Sequence, residues 1–576
     1  MPNTPLEPRP VLGGFARLLL LCLVVSAARP QAKLGPTLLH PPVHSSMRAL
    51  LRSCGLTALL KLAGCQSFWV SARTRLAQHQ TPAAPAARTC MSFVEAEKVK
   101  GFARSRGPFR RSATRLASTA GAETTPTIST SSAPPTDAAS SLEFNSEEAY
   151  HDHLEGQGKL PLGFRVGTDG LRFVPKEVPT EVTMNITAIV LDEASMYMSF
   201  SMPSDRWAAV FTRNMFPGAP VIVGKERLAA EGRAIQAVVV NNKISNVCPG
   251  SDGEGGGASA GVADSESICQ RAAEVFRLEG GAGAVIPCST GVIGWRLPVD
   301  AICDHLAPVK AKMQSDSLYP ACKSIMTTDR YPKMRGTEVG SNGGRLVGIA
   351  KGAGMIEPDM ATMLVYLVTD LQIPREKMRE LLSKKSDASF NCISIDSDTS
   401  TSDTVLLLSS GKVPLAEGDL EDFEEKLEAV CDGLAEDVVR NGEGTAHVMQ
   451  VHVTGAPTSA LARKLGKAVV NSPLFKAAVA GNDPNVGRLL AVVGRVMGRE
   501  SPDTDVSNTR ISLGGHVVFE DNTFAISPEM ETELFDLFKA SKIRKKEPTV
   551  PATATLVPAT VHKALSSIPC HRKTAV

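Results

Sequence analysis

The stretch Lys351–Asp370 reads KGAGMIEPDMATMLVYLVTD and joins a glycine-broken turn directly to an apolar segment. Glycines and a proline before an apolar run are typical of a loop that enters a buried strand or helix. Thr362 lies between this turn and the apolar run Met363–Val368, so its hydroxyl is expected at the edge of the core. Local chemistry alone favours an ordinary junction between a loop and a buried segment. Any further role for Thr362 depends on the rest of the chain.

The charge of the chain is unevenly distributed. Residues 1–140 carry 17 Lys/Arg and 5 Asp/Glu, whereas the other residues carry 45 and 55. The early part contains an apolar run, Leu18–Val25, followed by small residues as in a signal peptide, and the later part has the Arg- and Ser-rich composition of a transit peptide. We therefore predict an organelle-targeting leader and disordered linker in residues 1–140, and a mature protein in an organelle matrix, mitochondrial, with the plastid as the alternative. A regulatory disordered tail fits the charge bias less well.

The remaining residues show no pattern of metal, membrane or nucleic-acid binding. Seven of the 12 cysteines lie between residues 141 and 543 and none forms a CxxC pair, which favours free buried thiols over disulfides or zinc. His447 and His452 fall on opposite faces of a predicted strand and cannot share a metal ion. No apolar run approaches the roughly 18 residues that a membrane-spanning helix needs. The acidic net charge of this part argues against nucleic acid as a partner.

Hydrophobic periodicity predicts a mixed, α+β arrangement of elements. Short apolar runs predict strands at Val182–Leu191, Ala208–Thr212, Val221–Val223 and Ala234–Asn241, and alternation predicts another at Met449–Val453. Helical spacing predicts helices at Pro374–Lys385, Leu420–Arg440 and Leu461–Ala480. Phe390–Leu408 is interpreted as a strand, a polar turn and an apolar segment, and Ser251–Ser267 as a surface insertion.

A second motif lies in Ile286–Pro298, which reads IPCSTGVIGWRLP: an apolar run that is broken at Ser289-Thr290-Gly291. Gly291 allows a backbone N–H to approach a ligand closely, and Thr290 adds a hydroxyl donor beside it. Two adjacent donors are what the oxyanion of a tetrahedral intermediate requires. An ordinary turn held by a Ser or Thr hydroxyl is the preferred interpretation when the motif is taken alone.

Taken together, these segments resemble the ornithine acetyltransferase / glutamate N-acetyltransferase (ArgJ) family of arginine biosynthesis. The family signature has a lysine-glycine turn and then Pro-x-Met-Ala-Thr-Met-Leu, which Lys351–Leu364 matches. Asn241–Gly250 matches only in part, because the family has a Gly/Asn/Ala-rich loop where this chain has Lys243. The resemblance runs from about Gly163 to Ile543. Its other matching segments are AVFTRN at Ala209–Asn214, STGVIG at Ser289–Gly294, IMTTDRYPK at Ile325–Lys333 and GNDPNVGR at Gly481–Arg488.

The resemblance implies a layered α/β/β/α self-processing fold (Ntn-like, DmpA/ArgJ-type), with two β layers flanked by helices. It implies that the chain cuts itself between Ala361 and Thr362, and that Thr362 then acts as nucleophile beside its own α-amine, whose pKa of about 8 suits a general base. Thr290 and Gly291 would form the oxyanion hole. The substrate-binding residues implied by the family are Thr327, Thr328, Lys351, Thr362 and Glu443, with the choice between the two neighbouring threonines left open.

The reaction implied by the resemblance moves an acetyl group from N2-acetylornithine to L-glutamate, without cofactor, and acetyl-CoA is possible as a further substrate. The expected products of the cut are an α chain, residues 150–361, and a β chain, residues 362–543, assembled as α2β2. The tail, residues 544–576, shows neither the further strand nor the substrate contacts of the family, so it is a divergent end or an error of the gene sequence. The alternatives are a self-processing amidohydrolase or aminopeptidase, and a non-catalytic relative.

Overall fold

The computed structural model describes residues 144, 146–192, 205–230, 232, 234–251, 255–357 and 363–542, together with the backbone of Val557–Lys563. The predicted leader, the predicted cleavage residues Ala361 and Thr362, and the rest of the tail lie outside the described residues.

Strands and helices are interspersed along the described chain. The strands are β1 (Phe164–Phe173), β2 (Val182–Leu191), β3 (Trp207–Phe211), β4 (Ala237–Asn241), β5 (Val285–Ser289), β6 (Lys333–Val339), β7 (Gly344–Lys351), β8 (Leu364–Leu371), β9 (Thr404–Val413), β10 (Met449–Thr454), β11 (Thr509–Leu513), β12 (His516–Glu520), β13 (Thr523–Phe524) and β14 (Val557–Lys563). The helices are α1 (Glu147–Gln157), α2 (Ala219–Ala229), α3 (Gly257–Phe276), α4 (Val299–Ala311), α5 (Tyr319–Ser324), α6 (Arg375–Ala388), α7 (Asp419–Arg440), α8 (Ser459–Val470), α9 (Pro473–Ala480), α10 (Val486–Glu500) and α11 (Pro528–Ala540).

Two sheets pack face to face between two layers of helices. The first has the order β1-β2-β4-β5 and the second β3-β9-β8-β7-β6. Ile286 of β5 and Tyr366 of β8 belong to the core that the two sheets share. On the outer faces, Val239 of β4 shares a core with α3 and α4, and Val365 of β8 shares one with α6 and α7. The predicted α/β/β/α layering is therefore confirmed.

The strand that follows the glycine-rich turn is buried at every position from Leu364 to Leu371. Side chains alternate across a strand, so a strand covered on both faces must be apolar on both. Leu364, Tyr366 and Val368 face the core between the sheets, whereas Val365 and Leu367 face the helices. This is why Met363–Val368 forms an unbroken apolar run.

A third sheet, of order β10-β14-β11-β12-β13, shares a core with α8 to α11. Its β14 comes from the tail and pairs parallel with β10 and antiparallel with β11. The absence of a strand from the tail was therefore a wrong prediction. The composition of the tail, rich in Pro, Thr and Ala, resembles a disordered segment, and only the open edges of β10 and β11 show where its short strand belongs.

Three local predictions were wrong and one was partly wrong. Val221–Val223 lies in α2 instead of a strand, because Pro220 in the first helical turn favours a helix over the weak strand preference of three apolar residues. The supposed insertion Ser251–Ser267 contains the start of α3, whose Asp264 and Ser265 are buried. Leu461–Ala480 is two helices, because Ser472 caps a new helix that begins at Pro473. Phe390–Cys392 forms a short 3-10 helix before the loop to β9, where a strand was predicted.

The seven cysteines between residues 205 and 542 are free thiols, five of them buried, Cys303 half-buried and Cys248 exposed. No helix in the described ranges combines the length and the apolar character needed to cross a bilayer.

Candidate active site

The oxyanion motif begins where β5 ends. Ser289 is the last residue of the strand, and Gly291 follows with a φ of +129°, in the region that favours glycine. A Cβ on Gly291 would lie 2.1 Å from the carbonyl carbon of Lys243. The close approach of two backbone segments therefore requires glycine at this position.

Two hydrogen-bond donors are left unused at this turn. The backbone N–H of Thr290 donates to the carbonyl of Asn241 (3.1 Å). By contrast, the N–H of Gly291 and the hydroxyl of Thr290 make no hydrogen bond to any described residue. Thr290 is nonetheless 6% exposed. Gly291 itself is exposed, so its N–H is open to a ligand. Two adjacent donors without a partner in the described chain are the arrangement that an oxyanion hole needs.

The loop that packs against this turn is held in unusual backbone conformations. Lys243, Asn246 and Cys248 all have positive φ, although none is glycine. Non-glycine residues rarely adopt this conformation, and such residues are concentrated at functional sites. The N–H of Val292 donates to the carbonyl of Lys243 (2.7 Å), which fixes the loop to the turn. Lys243, where this loop departs from the family pattern, is thus one of the residues with a positive φ.

Two consecutive asparagines connect the oxyanion turn to the segment that contains Thr327 and Thr328, the two threonines expected to bind substrate. The hydroxyl of Ser289 donates to the side-chain oxygen of Asn241 (2.6 Å). The side-chain amide of Asn242 donates to the carbonyl of Met326 (2.9 Å), directly before Thr327. Both asparagine side chains are buried, so these bonds are shielded from water and hold the two segments in a defined relation.

Asp329 connects the threonines to the turn that follows β7. Its carboxylate accepts hydrogen bonds from the N–H of Thr327 (3.0 Å), from the N–H of Gly352 (2.8 Å) and from the ammonium of Lys333. The side chains of Asp329 and Lys333 are both fully buried. Burial alone would raise the pKa of Asp329, but Lys333, Lys351 and the hydrogen bonds hold it well below its usual range.

Lys351, at the end of β7, has an ammonium group that makes no ion pair with any carboxylate in the described chain. Burial lowers the pKa of this ammonium, Asp329 opposes the shift, and Lys333 reinforces it. The Lys351 side chain thus lies near Thr327 and Thr328 without an ion-pair partner in the described chain, and it remains available for a negatively charged group of a substrate.

Glu443 lies at the same place. Its N–H donates to the carbonyl of Ala353 (2.7 Å), and its carboxylate accepts a hydrogen bond from the hydroxyl of Thr328 (2.6 Å). Arg330 holds the neighbouring chain by donating to the side chain of Asn441 (3.0 Å) and to the carbonyl of Gly442 (2.7 Å). The structure therefore brings Thr327, Thr328, Lys351 and Glu443 together.

The segment that leads to the predicted cut is held by several hydrogen bonds, and one carboxylate accepts two of them. Asp396 accepts hydrogen bonds from the N–H groups of Met355 (2.5 Å) and Ile356 (2.8 Å). Met355 has a positive φ of 58°, so the turn after Gly354 is conformationally restricted. The chain is described again from Met363, and Leu364 pairs with Lys351 in the antiparallel ladder of β7 and β8. Ala361 and Thr362 themselves are not among the described residues.

The oxyanion turn and the start of β8 lie at the same end of the two facing sheets. Cys288 precedes Thr290 by two residues, and Tyr366 follows Leu364 by two residues. The Cys288 thiol lies close to the Tyr366 phenol in the shared core, and burial raises the pKa of Cys288 to about 12. The hydrogen bonds from Asn242 to Met326 and from Gly352 to Asp329 connect the ends of the parallel strands β4 and β5 with the end of β7, which pairs with the start of β8.

Sequence analysis missed the residues that connect the site. Asn242, Asp329, Lys333 and Asp396 have no assigned role in the motifs, although Asp329 and Lys333 stand inside IMTTDRYPK. The sequence signal that could have indicated them was a charged residue inside an apolar or threonine-rich motif. A charge in such a place is expected to be buried, and a buried charge requires a partner.

Comparisons with known proteins identify the family of this chain. The ArgJ family model matches residues 183–544. Arginine biosynthesis bifunctional protein ArgJ 2 of Clostridium acetobutylicum is 36% identical over 313 residues, which are 54% of this chain and 76% of the relative. Glutamate N-acetyltransferase Oat2 of Streptomyces clavuligerus is 39% identical over 306 residues, 53% of this chain and 73% of the relative.

Among solved structures, arginine biosynthesis bifunctional protein argJ of Bacillus halodurans is 27% identical, and the match covers 36% of this chain and 91% of that chain with a TM-score of 0.31. The family model spans more than half of the sequence, and the match to the curated relatives covers 73% or more of their length. On this evidence, the chain belongs to the ArgJ family.

Proposed function

We propose that this chain is an acetyltransferase that moves an acetyl group from N2-acetylornithine to L-glutamate through an ester on Thr362. The observation that carries the proposal is the pair of unused donors at Thr290 and Gly291, linked by buried hydrogen bonds to the residues expected to bind substrate. The names of the relatives, a bifunctional arginine biosynthesis protein and a glutamate N-acetyltransferase, support the same reaction class.

The nucleophile is made by self-cleavage. The Thr362 hydroxyl attacks the Ala361 carbonyl carbon, and the peptide C–N bond breaks as the hydroxyl proton passes to the nitrogen. The ester formed is opened by water, which leaves a carboxylate on Ala361 and frees both the hydroxyl and the α-amine of Thr362. That amine then serves as the general base for its own hydroxyl.

Acetyl transfer proceeds in two halves. The Thr362 oxygen attacks the acetyl carbonyl of N2-acetylornithine while the α-amine takes its proton, and the amine returns the proton to the departing nitrogen of ornithine. The amino group of glutamate then attacks the acetyl ester, N-acetylglutamate leaves, and the hydroxyl is restored. Gly291 N–H and the Thr290 hydroxyl stabilise the oxyanion in both halves, and they act without reorganisation because the turn is already fixed.

Substrate charge is met by two side chains of the same cluster. Lys351 pairs with the α-carboxylate that both substrates carry, and Glu443 accepts from a substrate ammonium beside the Thr328 hydroxyl. The hydrogen bond from Thr328 to Glu443 favours Thr328 over Thr327 as the threonine that shapes the substrate pocket.

A transfer assay tests the proposal. Purified protein is incubated with N2-acetylornithine and labelled glutamate, and labelled N-acetylglutamate is expected. Acetate release without transfer would establish an amidohydrolase instead, and no turnover by correctly cut protein would establish a non-catalytic relative. Acetyl-CoA in place of N2-acetylornithine tests the second donor. Thr290→Ala should lower kcat on the order of a hundredfold while the cut still occurs.

The proposal also covers the subunit assembly of the protein and its location in the cell. The pieces produced by the cut assemble as α2β2, and the basic leader directs the protein to an organelle matrix, mitochondrial with the plastid as the alternative. The charge contrast between residues 1–140 and the rest supports import. Light scattering of the purified protein tests the assembly, and microscopy of a leader fused to a fluorescent protein tests the location. A monomeric mass or a cytosolic signal would contradict the respective part.

A further inference from the structure

A groove with a strongly basic lining lies in the third sheet's helical layer, away from the oxyanion turn. It has a volume of about 610 Å³ and lies between α8, the start of α9 and α10. Four cations line it: Lys464 and Lys467 from α8, and Arg488 and Arg495 from α10. This volume is within the range of small-molecule sites.

The positive charge of this groove is only partly balanced. Lys464 pairs with Glu500 (2.5 Å), and Lys467 acts on the carboxylate of Glu357 at the edge of the groove. The two arginines form no ion pair with any residue of the described ranges. Arg488 donates one hydrogen bond to the carbonyl of Leu474 (2.7 Å), which positions its guanidinium and leaves its other donors unused. An anion between the arginines would relieve the repulsion of like charges.

The rest of the lining indicates what kind of anion fits. The floor is apolar and is formed by Ala468, Leu474, Ala491 and Val492, with Leu474 64% exposed. Guanidinium groups bind phosphate through paired hydrogen bonds, which makes arginine the preferred residue for phosphate recognition. We propose that this groove binds a phosphate-bearing organic ligand, with its phosphate between Arg488 and Arg495 and its apolar part on the floor.

The groove has a direct connection to the segment that precedes the predicted cut. Glu357 lines its edge, and its N–H donates to the carbonyl of Asp398 (3.0 Å). Burial raises the pKa of Glu357, and Lys467 opposes that shift. A bound anion competes for Lys467 and changes the charge balance around Glu357. Any consequence of this change for the cut rests on the proposed function, whereas binding of the anion does not.

Calorimetry on the full chain tests binding with inorganic pyrophosphate as the probe. Pyrophosphate is expected to bind with a Kd below about 1 mM at low salt, and more weakly as salt rises, because screening weakens charge attraction. The double variant Arg488→Gln/Arg495→Gln should raise Kd by about tenfold or more. The matched control is Arg499→Gln, which removes the same charge from α10 outside the groove and should leave Kd unchanged.

A single variant keeps the test independent of folding. The side chain of Arg495 is exposed and has no hydrogen bond or ion pair with a described residue, so Arg495→Gln alone should weaken binding without lowering the melting temperature. Absence of pyrophosphate binding at millimolar concentration, or equal Kd values for the wild type and both arginine variants, would overturn the site. Binding of citrate but not of pyrophosphate would overturn its assignment to phosphate. None of these outcomes depends on acetyl transfer.

Discussion

Gly291 tests the geometry of the oxyanion turn at the scale of one residue. In Gly291→Ala, the new Cβ would be 2.1 Å from the Lys243 backbone, so either the turn or the loop must move. We expect kcat for acetyl transfer to fall by about a hundredfold or more, the magnitude for a lost oxyanion donor. Gly294→Ala is the matched control, because Gly294 also has a positive φ (+88°) but open space around its Cβ. Equal activities of the two variants would contradict the role of the turn.

Asp329 tests the buried connection between substrate-binding segments. Asp329→Asn leaves Lys333 buried without its counter-charge, and the expected loss of unfolding free energy is about 3–5 kcal/mol at neutral pH. The control Asp316→Asn replaces an exposed carboxylate and should change it by less than about 0.5 kcal/mol. Urea denaturation measures both.

The same residue has a predicted pH dependence. The pKa of Asp329 is lower in the folded protein than in the unfolded chain, so its contribution is complete above the unfolded value of about 4. It is lost as pH falls below that value towards the folded pKa. Between pH 6 and pH 3 the wild type should therefore lose more stability than Asp329→Asn. A parallel decline in both proteins would show that the ion pair contributes nothing.

At the scale of elements, the tail strand is the point at which structure and sequence interpretation differ most. β14 pairs with Met449–Thr454 on one side and with Thr509–Leu513 on the other. Deleting residues 544–576 should open two strand edges at once, which promotes aggregation and local unfolding. Limited proteolysis and size-exclusion chromatography should show faster cleavage after residue 448 and larger species. Deleting only residues 565–576 keeps β14 and should resemble the wild type; equal behaviour of both deletions would refute the pairing.

At the scale of the whole molecule, the predicted cut separates strands that remain paired. β3 and β7 precede the cut, β9 and β8 follow it, and the second sheet contains the ladders β3–β9 and β7–β8. The two pieces should therefore stay together in native solution and separate only in denaturant. Native and denaturing electrophoresis, with amino-terminal sequencing of the smaller piece, check this. Dissociation under native conditions would contradict the shared sheet.

Thr362 is the residue proposed to make this cut. Thr362→Ala should give a single uncut chain without transfer activity. The variant lacks the attacking hydroxyl, and without the cut no free α-amine forms to act as the base. Thr362→Ser should still be cut, but more slowly, since serine lacks the β-branch that restricts χ1. A full-length, uncut chain with wild-type transfer activity would refute the mechanism, since no free amine would exist to act as base.

The sequence by itself determined the mixture of helices and strands, the long helix Asp419–Arg440 and the buried strand after the glycine-rich turn, because hydrophobic periodicity is a local property. The layered fold class and the residues of the candidate site were implied by the resemblance of its short motifs to a known family. Only the tertiary structure decided how those residues are connected. Asn242, Asp329 and Asp396 join segments that are distant in sequence, and β14 finds its place only because β10 and β11 leave a gap between them. Hydrogen bonds between distant segments and the pairing of strand edges leave no periodic trace in a sequence, since their partners meet only when the chain has folded.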